Sequence, residues 1–98
     1  METMTFEFEA GDRPARRAHV GVVGSGDLEV LLEPRTGDRA SVVVRTSVDG
    51  YREIWTNVLQ RFFARRPVAA AIEINDFGAT PGVVTLRLAQ AVEEAMER

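Results

Sequence analysis

Apolar and polar residues alternate through Thr5–Glu9, with Phe6 and Phe8 on one side and Glu7 and Glu9 on the other. A period of two sends successive side chains to opposite faces of a strand, so this run predicts a half-buried strand at a sheet edge. Ala18–Val23 repeats the pattern: Val20 and Val22 share one face, and His19, Gly21 and Val23 the other. A glycine inside a strand marks a bulge or a close approach of backbone, which is expected at Gly21. Leu28–Glu33 reads as the return strand of a hairpin, with Leu28, Val30 and Leu32 matching Val20 and Val22 across it. After the turn Pro34–Arg39, the β-branched run Ala40–Thr46 predicts a third strand of the same meander.

The period then lengthens. Ile54, Trp55, Val58, Leu59, Phe62 and Phe63 recur at helical spacing between Tyr51 and Arg65 and define one broad apolar stripe. Asp49 is expected to cap its start, Arg65 and Arg66 suit the negative end of its dipole, and Pro67 stops it. Val68–Asn75 returns to alternation, with Ala70, Ile72 and Ile74 on one face. Thr80 predicts the N-cap of a last helix with Pro81 at its first position, running to about Glu97 and burying Val84, Leu88, Ala91, Val92 and Ala95. Val83–Leu88 also alternates, so the first turn of that helix competes with a strand reading. The expected fold class is α+β: a largely antiparallel sheet of about four to five strands with two helices packed on one face.

The chain has 98 residues, 45% of them apolar and 28% charged, which suits a single domain, residues 1–98, with one core. A net charge of −3 argues against a nucleic-acid binder, which needs a basic surface to displace counterions. No apolar run is long enough for a membrane span, and Met1–Thr5 lacks the features of a secretory signal. A cytoplasmic location follows as the expectation. There is no cysteine, so disulfides, thiolate metal sites and a cysteine nucleophile are excluded. Any thioester chemistry would need a thiol brought in on a cofactor.

Few residues suggest chemistry. Gly24-Ser25-Gly26-Asp27 falls at the tip of the predicted hairpin, where flanking glycines leave a hydroxyl exposed. Two readings are open on residues alone: a plain turn, or a serine presented for covalent attachment. His19 is the only histidine and lies too far along its strand to serve Ser25, so it is expected to be structural or exposed. The Arg13, Arg16 and Arg17 cluster reads as a solvated loop, with a phosphate-bearing partner as the alternative. Asn75, Asp76 and Gly78 read as a turn and helix cap, or as a place at the helix start for a phosphate or an acidic group. The carboxylates show no paired acid-base or metal-ligand spacing, so no catalytic and no metal-binding residue is expected.

Two longer stretches, Val23-Gly24-Ser25-Gly26-Asp27-Leu28-Glu29-Val30-Leu31-Leu32-Glu33-Pro34 and Asn75-Asp76-Phe77-Gly78-Ala79-Thr80-Pro81-Gly82-Val83-Val84, resemble the acyl carrier (delta) subunits of malonate decarboxylases. The likeness extends over nearly the whole chain and is more distant to the acyl carrier (gamma) chains of citrate lyases. The resemblance implies that Ser25 carries phosphoribosyl-dephospho-CoA through a phosphodiester, with Gly24, Gly26 and Asp27 flanking the attachment. It implies a thiol that holds acetyl and then malonyl while malonate is converted to acetate and CO2. It also implies partners: an acyl-transferase (alpha) subunit, decarboxylase (beta and gamma) subunits, a prosthetic-group transferase and a malonyl-transfer enzyme. The carrier would make no bond itself and would not be an enzyme. Helical carriers of fatty-acid synthesis differ, since their serine opens a helix after Asp-Ser-Leu, whereas here Ser25-Gly26-Asp27-Leu28 sits among strands. A regulatory or scaffolding domain that binds a partner through its helix faces is the rival reading.

Overall fold

The computed structural model describes residues 1–97. Five strands and two helices follow in the order β1 (Glu2–Glu9), β2 (Ala18–Gly21), β3 (Leu28–Pro34), β4 (Arg39–Thr46), α1 (Arg52–Arg65), β5 (Ala70–Asp76) and α2 (Pro81–Met96). Each expected element is present, and α2 forms where helix and strand periods competed. Thr80 decides that start: its Oγ1 accepts the Val83 N–H at 3.3 Å, and Pro81 lacks the N–H that would go unpaired there.

The strands form one sheet in the order β1-β4-β5-β3-β2. β1 and β4, β3 and β5, and β2 and β3 pair antiparallel, while β4 and β5 run parallel. A parallel pair needs a crossover, which α1 supplies. The expected β2-β3-β4 meander is therefore corrected. β5 lies between β3 and β4, with Ile72 opposite both Leu32 and Val42 and Ile74 opposite both Val30 and Val44. Insertion of β5 places it at the centre of the sheet, where both of its edges are paired and Ala70, Ile72 and Ile74 face the helices.

Burial follows the alternation. Leu28, Val30 and Leu32 of β3, Val42 and Val44 of β4, and Ile72 and Ile74 of β5 are sealed beneath the helices. Trp55, Leu59, Phe62 and Phe63 of α1 and the five predicted residues of α2 close the core from above. α2 lies over β2 and β3, and α1 reaches β1. There Phe8 stacks on Phe63 with ring centroids 4.7 Å apart.

Two expected details differ. Asp49 does not cap α1: its carboxylate lies 3.1 Å from the N-terminal ammonium of Met1, and the capping residue is Tyr51, with no side-chain bond. Val22 does not join the core face, because β2 ends at Gly21 and Val22 is 60% exposed. The cause is Gly21 itself. Its φ is +83°, and a β-carbon there would stand 2.0 Å from the Leu28 carbonyl oxygen. The backbones approach so closely that only glycine fits, and the chain leaves the ladder at that point.

The arginine-rich loop before β2 has a structural task. The Ala15 and Arg16 N–H groups both donate to the Ala95 carbonyl, and Arg16 Nε donates to the Glu94 carbonyl at 3.2 Å. These donors satisfy carbonyls that the end of α2 leaves unpaired.

Candidate functional site

Residues 22–27 link β2 to β3 and carry the serine at their outermost point. The Asp27 N–H donates to the Gly24 carbonyl at 3.1 Å, closing a β-turn with Ser25 and Gly26 at its corners. Gly26 has φ of +75°, the left-handed value that a type II turn requires at its third position. Ser25 thus occupies the first corner, and its side chain is exposed. Space around it is open. A β-carbon on Gly26 would meet nothing within 4 Å, and one on Gly24 only the Val22 side chain at 3.9 Å.

The turn is not free to swing. The Gly26 N–H donates to the Phe77 carbonyl at 2.7 Å, and the Phe77 N–H donates to the Asp27 carbonyl at 2.9 Å. Gly26 and Asp27 together oppose Phe77, a bulge with a left-handed glycine at its first position. Such bulges bend a strand and re-aim a side chain. Here the bend lifts Ser25 off the end of β3 while leaving its base hydrogen-bonded. The two stretches that resemble one family, far apart in sequence, are the two sides of this junction.

Asp27 bonds a nearby backbone N–H, as a residue of its type at a turn is apt to do: Leu28 N–H donates to its Oδ1 at 2.7 Å. It also meets a residue that the sequence reading missed. Arg87, on the second turn of α2, donates from Nη2 to Asp27 Oδ2 at 2.9 Å and from Nε to Oδ1 at 3.2 Å. The Arg87 guanidinium, together with the Leu28 N–H, holds the Asp27 carboxyl below the ordinary carboxylate range, and the Asp27 carboxylate in turn raises Arg87. A signal for Arg87 was present. It stands three residues after Val84 and four before Ala91, on the same stripe as the core residues of α2, where a charge calls for a partner.

Asn75, Asp76 and Gly78 serve the junction from below. Asp76, only 3% exposed, accepts from the Thr46 hydroxyl at 2.9 Å and from the Gly78 and Ala79 N–H groups at 3.2 and 3.0 Å. Its lone pairs are spent on holding the loop into α2. Asn75 Nδ2 donates to Glu29 Oε1 at 2.9 Å, and Glu29 Oε2 lies 2.9 Å from His19 Nε2. His19 pairs in register with Leu31 and is engaged with Glu29, so the structure brings it to Glu29 and not to Ser25. Among the described residues no group of three or more His, Asp or Glu side chains is placed to hold a metal ion. Among them, too, no helix is long and apolar enough to cross a membrane.

The family model for the malonate decarboxylase delta subunit matches residues 15–95. The malonate decarboxylase acyl carrier protein of Azotobacter vinelandii is 57% identical over 95 residues, covering 96% of each chain. That of Pseudomonas paraeruginosa is 59% identical over 96 residues, covering 97% of each. Among solved structures, a chain of a Pseudomonas malonate decarboxylase hetero-tetramer in complex with malonate superimposes with a TM-score of 0.92 at 54% identity, covering 97% of this chain and 99% of that one. A match of this length takes in the serine turn, its docking loop and the helix that braces it, and the chain belongs to the malonate decarboxylase delta subunit family.

Proposed function

We propose that this chain, as one domain over residues 1–98, is the acyl carrier of a malonate decarboxylase and that the Ser25 hydroxyl is the attachment point of its prosthetic group. The observation that carries the assignment is the placement of Ser25: an exposed hydroxyl at the first corner of a turn whose base is fixed by hydrogen bonds. Attachment to a bulky nucleotide needs an alcohol that a second protein can reach, and a rigid mount gives the arm a defined origin.

The residues fit phosphoribosyl-dephospho-CoA as the attached group. A β-carbon on Gly26 meets nothing within 4 Å and one on Gly24 only the Val22 side chain at 3.9 Å, which leaves room beside Ser25 for a phosphodiester. When bound, the group supplies the thiol that holds acetyl and malonyl, which a cysteine-free chain lacks. The chain's own part is mechanical. Gly24 and Gly26 give access, Gly26 also sets the turn, and Asp27 ties it to β3 and α2. A tethered thiol visits successive sites at a high effective concentration, so one small domain serves several partners.

The partners in this reading are an acyl-transferase (alpha) subunit, decarboxylase (beta and gamma) subunits, the prosthetic-group transferase and a malonyl-transfer enzyme, all in the cytoplasm. The likeness to a chain of a hetero-tetramer supports a multi-subunit setting. The test is the intact mass of the chain produced together with its transferase. The wild type should gain the mass of the group on Ser25, and Ser25→Ala should gain none. Equal added mass on Ser25→Ala would end the assignment.

A further inference from the structure

We propose that Arg87 is a positioning residue for the modification of Ser25: its fork on Asp27 holds the turn in the shape that the prosthetic-group transferase reads. The inference rests on Ser25 being the attachment point. It is carried by the geometry around Asp27. That residue closes the turn as its fourth member, and its carboxylate is held from both sides, by the Leu28 N–H at 2.7 Å and by Arg87 Nη2 and Nε at 2.9 and 3.2 Å. The side chains are 20% and 28% exposed, so the pair lies partly out of water at the foot of the turn.

The pair joins the serine turn to α2. The backbone bonds between Gly26, Asp27 and Phe77 fix the turn to the β5 side, and the guanidinium fixes it to α2. Arg87 is itself steadied by Gln90, whose Oε1 accepts from Nη1 at 3.1 Å. Released from the fork, the Asp27 carboxylate would be free to compete for N–H groups of its own turn, as aspartates in turns do. The corner at Ser25 would then sample several shapes.

Charge adds a second reason. A carboxylate two residues from the accepting hydroxyl repels a phosphate-bearing donor, and the guanidinium cancels that charge where it arises. Lysine would cancel the charge without the planar two-bond geometry.

The experiment measures the initial rate at which the bare chain gains mass from its transferase and a donor whose ribosyl phosphate carries a diphosphate leaving group, so that Ser25 Oγ forms the new P–O bond, pyrophosphate departs and the hydroxyl proton passes to solvent. Circular dichroism melts establish that each variant is folded at the assay temperature. Arg87→Met should be slowed about tenfold or more, because a small misplacement of a reacting group is expensive in rate. Arg87→Lys should fall between Arg87→Met and wild type. Asp27→Asn with Arg87→Met should be no slower than Arg87→Met alone, as expected for two groups acting as one unit. Arg61→Met, a matched charge loss on the exposed side of α1, should react at the wild-type rate. Wild-type rate in Arg87→Met, or losses that multiply in the double variant, would overturn the proposal. If Arg87→Met does not fold, Arg87→Lys decides, and wild-type rate there overturns the fork. Mass gained on Ser25→Ala would instead strike the attachment assignment, and the two failures are separable.

Discussion

Gly21 and Gly26 both lie in the left-handed region, with φ of +83° and +75°, yet they are not equivalent. A methyl at Gly26 meets open space, whereas at Gly21 it drives into the Leu28 carbonyl at 2.0 Å. Gly21→Ala is expected to destabilise the fold by about 3 kcal/mol, combining backbone strain with a clash, and Gly26→Ala by about 1 kcal/mol from strain alone. Urea midpoints of the two variants check this, and near-equal values would refute the close approach. Asp27 gives a second expectation at this scale. Its carboxyl is held by Arg87 and the Leu28 N–H below the ordinary value of 3.8, so the folded state releases that proton more readily than the unfolded chain. The stabilisation is therefore fully present above pH 3.8 and is lost as pH falls through the lower folded value. Wild type should exceed Asp27→Asn in stability by a constant margin above that pH, with the margin closing only below it. Ser25, Gly24, Gly26 and Asp27 were legible because a turn is a local object, set by neighbours in sequence. Arg87 showed only that it needs a partner; that the partner is Asp27, 60 residues away, was not legible.

The elements themselves were legible for a different reason. Periods of two and near four survive in the chain because one face of each element is buried. α2 shows it most simply: the five predicted residues Val84, Leu88, Ala91, Val92 and Ala95 are the buried ones. Leu88 is fully enclosed, and Leu88→Ala should destabilise by about 2–5 kcal/mol through lost burial and the cavity left behind. Thr80→Ala, which removes only the cap on Val83, should take away about 1 kcal/mol. Chemical denaturation ranks the two, and a reversed order would mean that α2 is held by its end and not by its face. Pairing was less legible. Alternation in Ala40–Thr46 is equally compatible with β3 or β5 as neighbour, so the expected meander placed β4 against the wrong strand. Asp49 failed as a cap because α1 begins only at Arg52, with Tyr51 in the capping position two residues beyond it.

At the scale of the molecule, the insertion of β5 explains why the site is where it is. Had β4 followed β3 in the sheet, the loop after β5 would not lie against the serine turn. With β5 beside β3, Leu28 pairs with Asp76, and the ladder runs on into the Gly26–Phe77–Asp27 bonds that brace Ser25. The fold and the mount are one piece of backbone, which suits a carrier whose moving part is the attached arm and not the domain. The construction makes the Ser25 side chain dispensable for folding, because the bonds that hold the turn come from Gly24, Gly26, Asp27 and Phe77 backbone groups and the Asp27 carboxylate. Ser25→Ala should therefore melt within about 0.5 kcal/mol of wild type, as substitutions of exposed side chains usually do. It should co-purify with the other subunits at wild-type stoichiometry, and the complex should turn over no malonate. A scaffold that works through its helix faces predicts the same assembly but full turnover. Native mass spectrometry of the complex, together with malonate consumption, reads both quantities on one preparation. Turnover at the wild-type rate by an assembled Ser25→Ala complex would decide for the scaffold.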